Sequence, residues 1–359
     1  MEPDDEEPMP PMSPPTGRFA RTARKLPSAA AALTLALTTA ACGGDGSPAP
    51  EGADRSADSA PASPGAADFP VTIEHVHGVT QIREEPRRVV TVGLADQDAA
   101  LALGVRPVGV VDWLGERPYG TWPWTKELWG DTRPVIVGER EDFDYEEIIE
   151  LRPDLILGLY TGIDEEKYRT LSKIAPTVAW NGDHPPYGTP WQDMTRTAGR
   201  ALGKEAEADR LIEDVDRKFA AVRTRHPEFA RQTALVADTY QPGEYSGFAP
   251  HDPKSVFVKE LGFELSEPIA DLAGEENAAT VGSERLDLFD VDRLIWLNWD
   301  ATSQKRIEAD DVYRQLRVAK EGRDVFLSYF DPPVGAAITY NTVLSIPYAI
   351  DQTVPLLAD

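Results

Sequence analysis

The side chains best suited to binding chemistry are aromatic rings and one arginine that follow short apolar runs. Four such runs, beginning at Arg88, Pro107, Pro134 and Asp154, are predicted to be β-strands. Ligands of open α/β sheets bind beyond the carboxyl ends of the strands. We applied this rule to both halves of the chain, and it selects Gln97, Trp113, Arg140, Tyr160, Tyr240, Tyr245, Trp299 and Tyr329. Aromatic faces shield an apolar skeleton, and a guanidinium donates charge-assisted hydrogen bonds to negative oxygens. These residues predict a site for a bulky amphipathic ligand with negative oxygen density.

Each candidate also has a purely structural interpretation. An aromatic ring after a strand could pack in the core or at its rim, and Arg140 could pair with Glu139, Glu141 or Asp142. The segment from Tyr119 to Trp124 adds three aromatic rings, which either overhang a cleft or pack on a lobe. The sequence leaves these alternatives open.

The signals for catalysis and for metal binding are weak. His75 and His77 could share one face of a strand, but the other three histidines are scattered along the chain, and a zinc or free-iron site needs more ligands. The chain has no glycine-rich phosphate loop, no G-x-S-x-G motif and no candidate cysteine nucleophile. We expect no enzyme activity, no cofactor and no metal site. A metal-ion scavenger that uses His75 and His77 is the alternative from another functional class.

The elements that must position these residues alternate between strands and helices, which predicts parallel sheets covered by helices. The stretch from Glu205 to Arg223 repeats apolar residues with helical spacing and contains no glycine or proline. We therefore predict an α/β fold with two Rossmann-like βα lobes, at 69–203 and 227–359, joined by a single long helix at 204–226. A helical connection predicts limited motion of the lobes.

A short pattern occurs once in each lobe. Glu146-x-Ile-x-x-Leu-x-x-Asp154 has the same spacing as Glu284-x-Leu-x-x-Phe-x-x-Asp292, which predicts a helix running into a strand in both places. The two glutamates could simply stabilise the dipoles of their helices. Their matched positions instead favour a pair of exposed carboxylates that contact arginines of a membrane partner.

The N-terminal part is typical of an exported lipoprotein. Basic residues at 18–25 precede the apolar run Leu26–Ala41, which ends in small residues before Cys42, the one cysteine of the chain. This order predicts a signal peptide at 1–41 and lipidation of Cys42. Residues 42–68 are mostly Gly, Ala, Ser, Pro and acidic residues, so we expect a disordered tether. The protein should lie outside the cytoplasm, anchored to the outer face of the cell membrane.

Composition narrows the partners further. The formal net charge of −25 argues against nucleic acid, and no second apolar run is long enough to span a bilayer. Lipidation of Cys42 would leave no thiol for a disulfide. The acidic residues 1–11 precede the basic stretch, so translation could start at Met12 rather than at Met1.

Two long segments are similar to a known family. Residues 75–113, HVHGVTQIREEPRRVVTVGLADQDAALALGVRPVGVVDW, resemble the opening of bacterial iron–siderophore-binding lipoproteins of ABC importers. Residues 142–180, DFDYEEIIELRPDLILGLYTGIDEEKYRTLSKIAPTVAW, continue the likeness, which extends more loosely over the second lobe. The pattern is specific for the helical-backbone class of binding proteins, in which binders of vitamin B12 and haem look similar.

The resemblance implies roles for particular residues. Arg140, after Val137-Gly-Glu, stands where hydroxamate-siderophore binders have a ligand-contacting arginine, and Tyr160 stands where they have a ligand-contacting tyrosine. Glu146 and Glu284 match the two glutamates with which the family docks onto the importer permease, although the spacing around Ser283 and Glu284 departs from the usual pattern.

We therefore expect a monomeric solute-binding protein that captures a ferric siderophore, preferably of hydroxamate type, between its lobes and delivers it to an ABC importer. Cobalamin or haem is the alternative cargo within the same class. A hexadentate siderophore already fills the six coordination positions of Fe(III), so the protein need not supply metal ligands.

Overall fold

The structure is a computed structural model that describes residues 69–113, 120–300 and 302–358. The predicted signal peptide, tether and Cys42 lie outside these residues, as does Tyr119. Among the helices that are described, none is both long enough and apolar enough to cross a membrane.

The chain forms fourteen strands, twelve α-helices and three 3₁₀-helices over the described ranges. The strands are β1 (Val71–His75), β2 (Gly78–Ile82), β3 (Val89–Thr91), β4 (Gly109–Asp112), β5 (Val135–Glu139), β6 (Asp142–Phe143), β7 (Leu155–Gly158), β8 (Thr177–Ala179), β9 (Thr233–Asp238), β10 (Glu244–Phe248), β11 (Glu264–Leu265), β12 (Ala278–Gly282), β13 (Arg293–Asn298) and β14 (Asp324–Ser328). The α-helices are α1 (Asp96–Ala102), α2 (Lys126–Trp129), α3 (Tyr145–Leu151), α4 (Glu165–Leu171), α5 (Trp191–Ala201), α6 (Glu205–Arg225), α7 (Pro253–Leu261), α8 (Glu267–Ala273), α9 (Ser303–Ala309), α10 (Arg317–Lys320), α11 (Val334–Tyr340) and α12 (Ser345–Ala358). The 3₁₀-helices are Pro227–Arg231, Ser283–Phe289 and Tyr313–Gln315.

Two six-stranded sheets form the two lobes, which confirms the predicted α/β fold. The first sheet has the order β6-β5-β4-β3-β7-β8, parallel except for β6. In the second, of order β12-β10-β9-β13-β14, the strands β13, β14 and the short β11 run parallel to β9. The antiparallel pair β10–β12 closes one edge of the second sheet. The carboxyl ends of the parallel strands therefore share one edge in each lobe.

Helix α6 has the predicted apolar face and ends within one residue of each end of the predicted range, 204–226. Ala208, Ile212, Val215, Phe219 and Val222 are buried, and the helix packs against α5, α7 and α12. Burial of one face against three helices holds α6 in place, because packing rather than propensity stabilises most helices in proteins.

The lobes have a second connection that the sequence did not predict. Helix α11 ends at Asn341, whose backbone adopts the left-handed conformation with φ of 46°, and α12 begins at Ser345. At this break Thr342 Oγ1 donates to Asp98 Oδ2 of α1 over 2.6 Å, and Leu344 packs near Trp129 of the first lobe. The end of the second lobe thus reaches back onto the first.

The repeated sequence pattern has a structural counterpart. Asp154 accepts hydrogen bonds of 2.8 Å from the backbone N–H groups of Arg87 and Arg88, just before β3, and Asp292 accepts one of 3.0 Å from Thr233, at the start of β9. Each aspartate therefore ties the helix-to-strand unit to the first parallel strand of its own lobe. The second unit differs in that Ser283–Phe289 is a 3₁₀-helix rather than an α-helix.

Candidate ligand-binding site

Aromatic rings from both lobes meet at the carboxyl ends of the strands. Trp299, after β13, stacks on Tyr329, after β14, with ring centroids 4.0 Å apart. Trp122 of the first lobe lies 6.2 Å from Tyr329 and 5.6 Å from Tyr340, and it stacks on Trp124 at 5.4 Å. We call these five residues the aromatic cluster. The structure describes two of the three rings in the segment 119–124. These two, Trp122 and Trp124, pack between the two sheet edges.

The aromatic cluster contains buried polar atoms. Nε1 of Trp122 and the hydroxyl of Tyr340 are buried, and neither has a hydrogen-bond partner among the described residues. Buried polar groups in folded proteins are almost always hydrogen-bonded, so unpaired ones call for an explanation. Donors of this kind suit a ligand that carries acceptor oxygens.

A second aromatic group lies at the edge of the first sheet. Trp113, after β4, and Tyr160, after β7, both contact Tyr187 edge to face, at 5.8 Å and 6.1 Å between centroids. Tyr187 was missed in the sequence, although it is the first tyrosine after β8 and the strand-end rule could have selected it. Trp113 and Tyr160 are buried, so these three rings pack together at the strand ends of the first lobe.

Glu141 fixes the position of Tyr187. The Tyr187 hydroxyl donates to Glu141 Oε1, which also accepts from Gly162 N over 2.9 Å, while Lys167 Nζ lies 3.4 Å from Oε2. Burial raises the pKa of Tyr187, and the hydrogen bond to Glu141 raises it further, so the phenol stays protonated. Glu141, one of the three carboxylates named above as possible partners of Arg140, thus contacts Tyr187, Gly162 and Lys167.

Arg140 lies in the turn between β5 and β6. Its backbone adopts the left-handed conformation with φ of 52°, and its N–H donates to the Asp112 carbonyl over 2.7 Å. A non-glycine residue in this conformation costs on the order of 1 kcal/mol and is often found at functional sites. Burial raises the pKa of Tyr187 and of Tyr240, and the positive charge of Arg140 opposes both rises. One guanidinium therefore acts on tyrosines of both lobes.

The second lobe contributes Tyr240 beside a buried carboxylate. Tyr240, after β9, lies 5.5 Å from the Trp299 ring and is 39% exposed. Trp299 Nε1 points at Asp238 Oδ2 over 3.5 Å, at the end of β9. Burial raises the pKa of Asp238 to about 6, although Lys254 opposes the rise. The strand ends of the second lobe thus present rings and a carboxylate to the first lobe.

Two predicted site residues lie elsewhere. The structure does not bring Tyr245 to the site: it belongs to β10, its ring packs against Phe289 and Trp296, and its hydroxyl donates to Asp310 over 2.8 Å. The sequence interpretation placed it in a loop after β9, but the chain turns back there into an antiparallel strand. Gln97 is buried in α1 beneath Gly120, next to the aromatic cluster rather than within it.

The histidine pair is fully engaged in local contacts. His75 Nε2 lies 2.9 Å from Thr80 Oγ1, and His77 Nε2 lies 2.9 Å from the Ile163 carbonyl. Burial, with a smaller contribution from the neighbouring His77, lowers the pKa of His75 to about 4. Over the described ranges, no group of three or more His, Cys, Asp or Glu side chains could hold a metal ion.

The two glutamates of the repeated pattern are both exposed and lie away from the aromatic cluster. Glu146 is in the first turn of α3, whose N-terminus is capped by Asp144 accepting from Glu147 N over 3.0 Å. Glu284 is in the first turn of the 3₁₀-helix that begins at Ser283. Both carboxylates are therefore available to a partner.

The sequence model of a family described as periplasmic binding proteins matches residues 100–328, which include α6, the second sheet and every strand of the first sheet except β3. The chain belongs to this family. Its members bind substrates for transport, and the aromatic rings and Arg140 lie where the strand-end rule of α/β proteins places a ligand.

Relatives of this binding protein include solved structures. A periplasmic solute-binding protein from Mycobacterium smegmatis is 33% identical, with a TM-score of 0.72 over 80% of this chain and 98% of its own. The iron-uptake protein PiaA from Streptococcus pneumoniae, crystallised with ferrichrome, is 27% identical, with a TM-score of 0.69 over 80% of this chain and 97% of its own. The probable siderophore-binding lipoprotein YfiY from Bacillus subtilis is 26% identical over 70% of this chain and 78% of its own length.

Proposed function

We propose that this protein is a monomeric, extracytoplasmic solute-binding protein that captures a ferric siderophore between its lobes and delivers it to an ABC importer. The observation that carries the proposal is the packing of Trp122 from the first lobe against Tyr329 of the second, which in turn stacks on Trp299. Relatives named for siderophore binding or crystallised with ferrichrome support this choice of cargo.

The chemistry of the cargo explains the composition of the site. Fe(III) in a hexadentate siderophore has no open coordination position, so the protein binds the organic shell rather than the metal. Aromatic faces cover its apolar parts, and Arg140 donates charge-assisted hydrogen bonds to the negative oxygens of the chelate, each worth about 1.5–3 kcal/mol. Trp113, Tyr160, Tyr187 and Tyr240 complete the proposed contact set. Hydroxamate oxygens, which carry this negative density, are the preferred chelating groups.

Delivery is proposed to use the exposed carboxylates Glu146 and Glu284. They lie at equivalent points of the two lobes, so a permease with two arginine-bearing loops could contact both at once. Because neither residue belongs to the aromatic cluster, docking and cargo binding can be tested separately.

Anchoring is proposed to occur through lipidated Cys42 after removal of residues 1–41, with 42–68 as the tether between membrane and lobes. The globular part is proposed to divide at 69–203, 204–226 and 227–359. A Cys42→Ala variant should be released into the soluble fraction and should fail to incorporate radiolabelled palmitate. Retention of the variant in the membrane fraction would contradict the lipid anchor.

Titration of the mature protein with candidate cargoes tests the proposed function. Trp113, Trp122 and Trp299 lie in or beside the site, so a coloured ferric chelate bound there should quench tryptophan fluorescence. Ferrichrome, ferrioxamine B, haem and cyanocobalamin are compared at equal concentration. Saturable quenching by a ferric siderophore supports the proposal, whereas saturable quenching by cyanocobalamin or haem alone would refute it.

A further inference from the structure

The connections of the first sheet diverge at the boundary between β3 and β7. The chain leaves β3 toward β4 on one side of this boundary, and it leaves β7 toward β8 on the other side. In open α/β sheets such a divergence creates a crevice at the carboxyl ends of the two strands, and ligands bind there. Side chains between the ends of β3 and β7 therefore lie where they can affect cargo binding.

The carboxylate of Asp96 lies between these two strand ends. Its Oδ2 accepts from Leu159 N over 2.7 Å and from Gly93 N over 3.2 Å, and its Oδ1 accepts from Tyr160 N over 3.0 Å. Asp96 is 2% exposed, so these backbone donors take the place of water around its charge. A methyl group at Gly93 would collide with the carboxylate, so the glycine allows Asp96 to approach the backbone of β3.

The two strands lose their regular register beside this carboxylate. Val92 N donates to the Leu157 carbonyl over 2.8 Å, but the next bond runs from Leu94 N to the Tyr160 carbonyl over 2.9 Å. Between these two bonds the first strand advances by two residues and the second by three. The extra residue makes a β-bulge at the carboxyl end of β7.

Asp96 stabilises the bulge by accepting from the donors that it leaves out of the ladder. In a regular parallel ladder the N–H of Leu159 would donate to the carbonyl of Val92, but here it donates to Asp96. One added residue moves the following side chains to the opposite face of a strand. The bulge therefore sets the direction in which the side chain of Tyr160 points.

The ring that follows the bulge belongs to a fixed pair. Tyr160 contacts the Tyr187 ring edge to face, and the Tyr187 hydroxyl donates to Glu141. One carboxylate thus holds the backbone of the first tyrosine, and another holds the hydroxyl of the second. We infer that Asp96 is a positioning residue for cargo binding, which acts through the bulge on the side chain of Tyr160. This inference rests on the proposed function, in which Tyr160 contacts the cargo.

Calorimetric titration of mature Asp96→Asn with ferrichrome at pH 8 tests the inference. Burial raises the pKa of Asp96 to about 7, although the three backbone hydrogen bonds lower it, so the wild-type carboxylate is mostly ionised at this pH. The asparagine amide has one acceptor oxygen for three donors and turns its own N–H groups toward the backbone. We expect the Kd to rise about tenfold or more. A Kd equal to that of wild type would overturn the inference.

Gly93→Ala perturbs the same contact without removing the carboxylate. Its methyl group should displace Asp96 from the strand ends, and the Kd for ferrichrome should rise as in Asp96→Asn. This variant provides the result if Asp96→Asn does not fold. Wild-type affinity in a folded Gly93→Ala protein would count against the inference in the same way.

Asp154→Asn is the matched control, because Asp154 ties β7 to β3 at their amino ends. It accepts from the backbone N–H groups of Arg87 and Arg88, each over 2.8 Å. The control should lower the free energy of unfolding but leave the Kd for ferrichrome unchanged. If the Kd rose equally in Asp154→Asn and Asp96→Asn, a general loss of stability would explain both results and the inference would fall.

A double-mutant cycle with Tyr160→Ala shows whether Asp96 acts through this ring. Tyr160→Ala should raise the Kd for ferrichrome, and Asp96→Asn added to it should raise the Kd by no more than about twofold again. An unchanged Kd in Tyr160→Ala, or a full further rise in the double variant, would overturn the inference and leave the proposed function intact. Failure of the wild type to bind any ferric siderophore would overturn the proposed function and the inference with it.

Discussion

Asp98 joins the two lobes. Replacing it with asparagine should lower the stability of the protein at acid pH and raise it at alkaline pH. The carboxylate accepts from Trp124 Nε1 over 2.9 Å and from Thr342 Oγ1 over 2.6 Å. Burial raises its pKa from an ordinary value near 3.8 to about 7, although both hydrogen bonds oppose the rise. Keeping this group ionised in the folded protein at pH 8 costs up to about 4 kcal/mol, at about 1.4 kcal/mol for each unit of pKa.

The direction in which stability changes with pH follows from the raised pKa of Asp98. The folded state binds the proton more tightly than the unfolded chain, so the contribution of Asp98 to stability is full below about pH 4 and is lost as the pH rises through about 7. Asparagine cannot ionise, so the variant does not lose this stability as the pH rises. In the variant, the amide group of asparagine would occupy the buried position of Oδ1, which has no hydrogen-bond partner among the described residues. An amide left without a partner there would lower the free energy of unfolding by about 1–3 kcal/mol.

Urea unfolding of wild type and Asp98→Asn, followed by circular dichroism from pH 4.5 to pH 8, measures the effect. The variant should be less stable by about 1–3 kcal/mol at pH 4.5 and more stable by about 1–3 kcal/mol at pH 8. Burial, with a contribution from the charge of Asp98, also raises the pKa of the neighbouring Asp96 to about 7, so removal of the Asp98 charge should relieve Asp96 as well and add to the gain of the variant at pH 8. Asp271→Asn, on the surface, serves as the control. A stability difference that does not change with pH would refute the reasoning.

Three further predictions concern the proposed site and its partner. Arg140→Ala should weaken binding of the ferric siderophore about 10- to 100-fold in fluorescence titrations. The control variant Arg133→Ala, at an exposed position, should bind as tightly as wild type. An equal loss of affinity in both variants would show that Arg140 does not belong to the site. Glu146→Ala with Glu284→Ala should leave the Kd for the siderophore unchanged but abolish uptake of ⁵⁵Fe-siderophore by cells, and an unchanged uptake rate would contradict the docking role. Glu141→Ala should lower the free energy of unfolding by about 1–3 kcal/mol and raise the Kd for the siderophore, because Tyr187 loses its acceptor; a Kd equal to that of wild type would show that the position of Tyr187 does not matter.

Local sequence patterns predicted the elements whose stability is decided locally. The ends of α3, α7 and β13 are marked in the sequence itself, because Asp144 and Asp252 cap the two helices and an apolar run forms the strand. The strand-end rule selected Trp299 and Tyr329, which the structure brings together. That rule needs only the positions of the strands, which apolar runs reveal.

Features that depend on distant contacts could not be predicted in this way. The hydrogen bond between Thr342 and Asp98 joins residues 244 positions apart, and no periodic pattern signals it. Tyr187 lies in a loop rich in proline and glycine, and its position is set by Glu141, 46 positions away. Tyr245 was assigned to a loop because the short antiparallel strands β10 and β12 have no continuous apolar run.

The most direct test of siderophore capture is the position of iron in a crystal of the protein grown with ferrichrome, located by its anomalous scattering. We expect one iron peak between the aromatic cluster and Arg140, with all six iron ligands supplied by the siderophore and none by a protein side chain. An iron peak coordinated by protein histidines or carboxylates, or a bound chelate away from these residues, would contradict siderophore capture at this site.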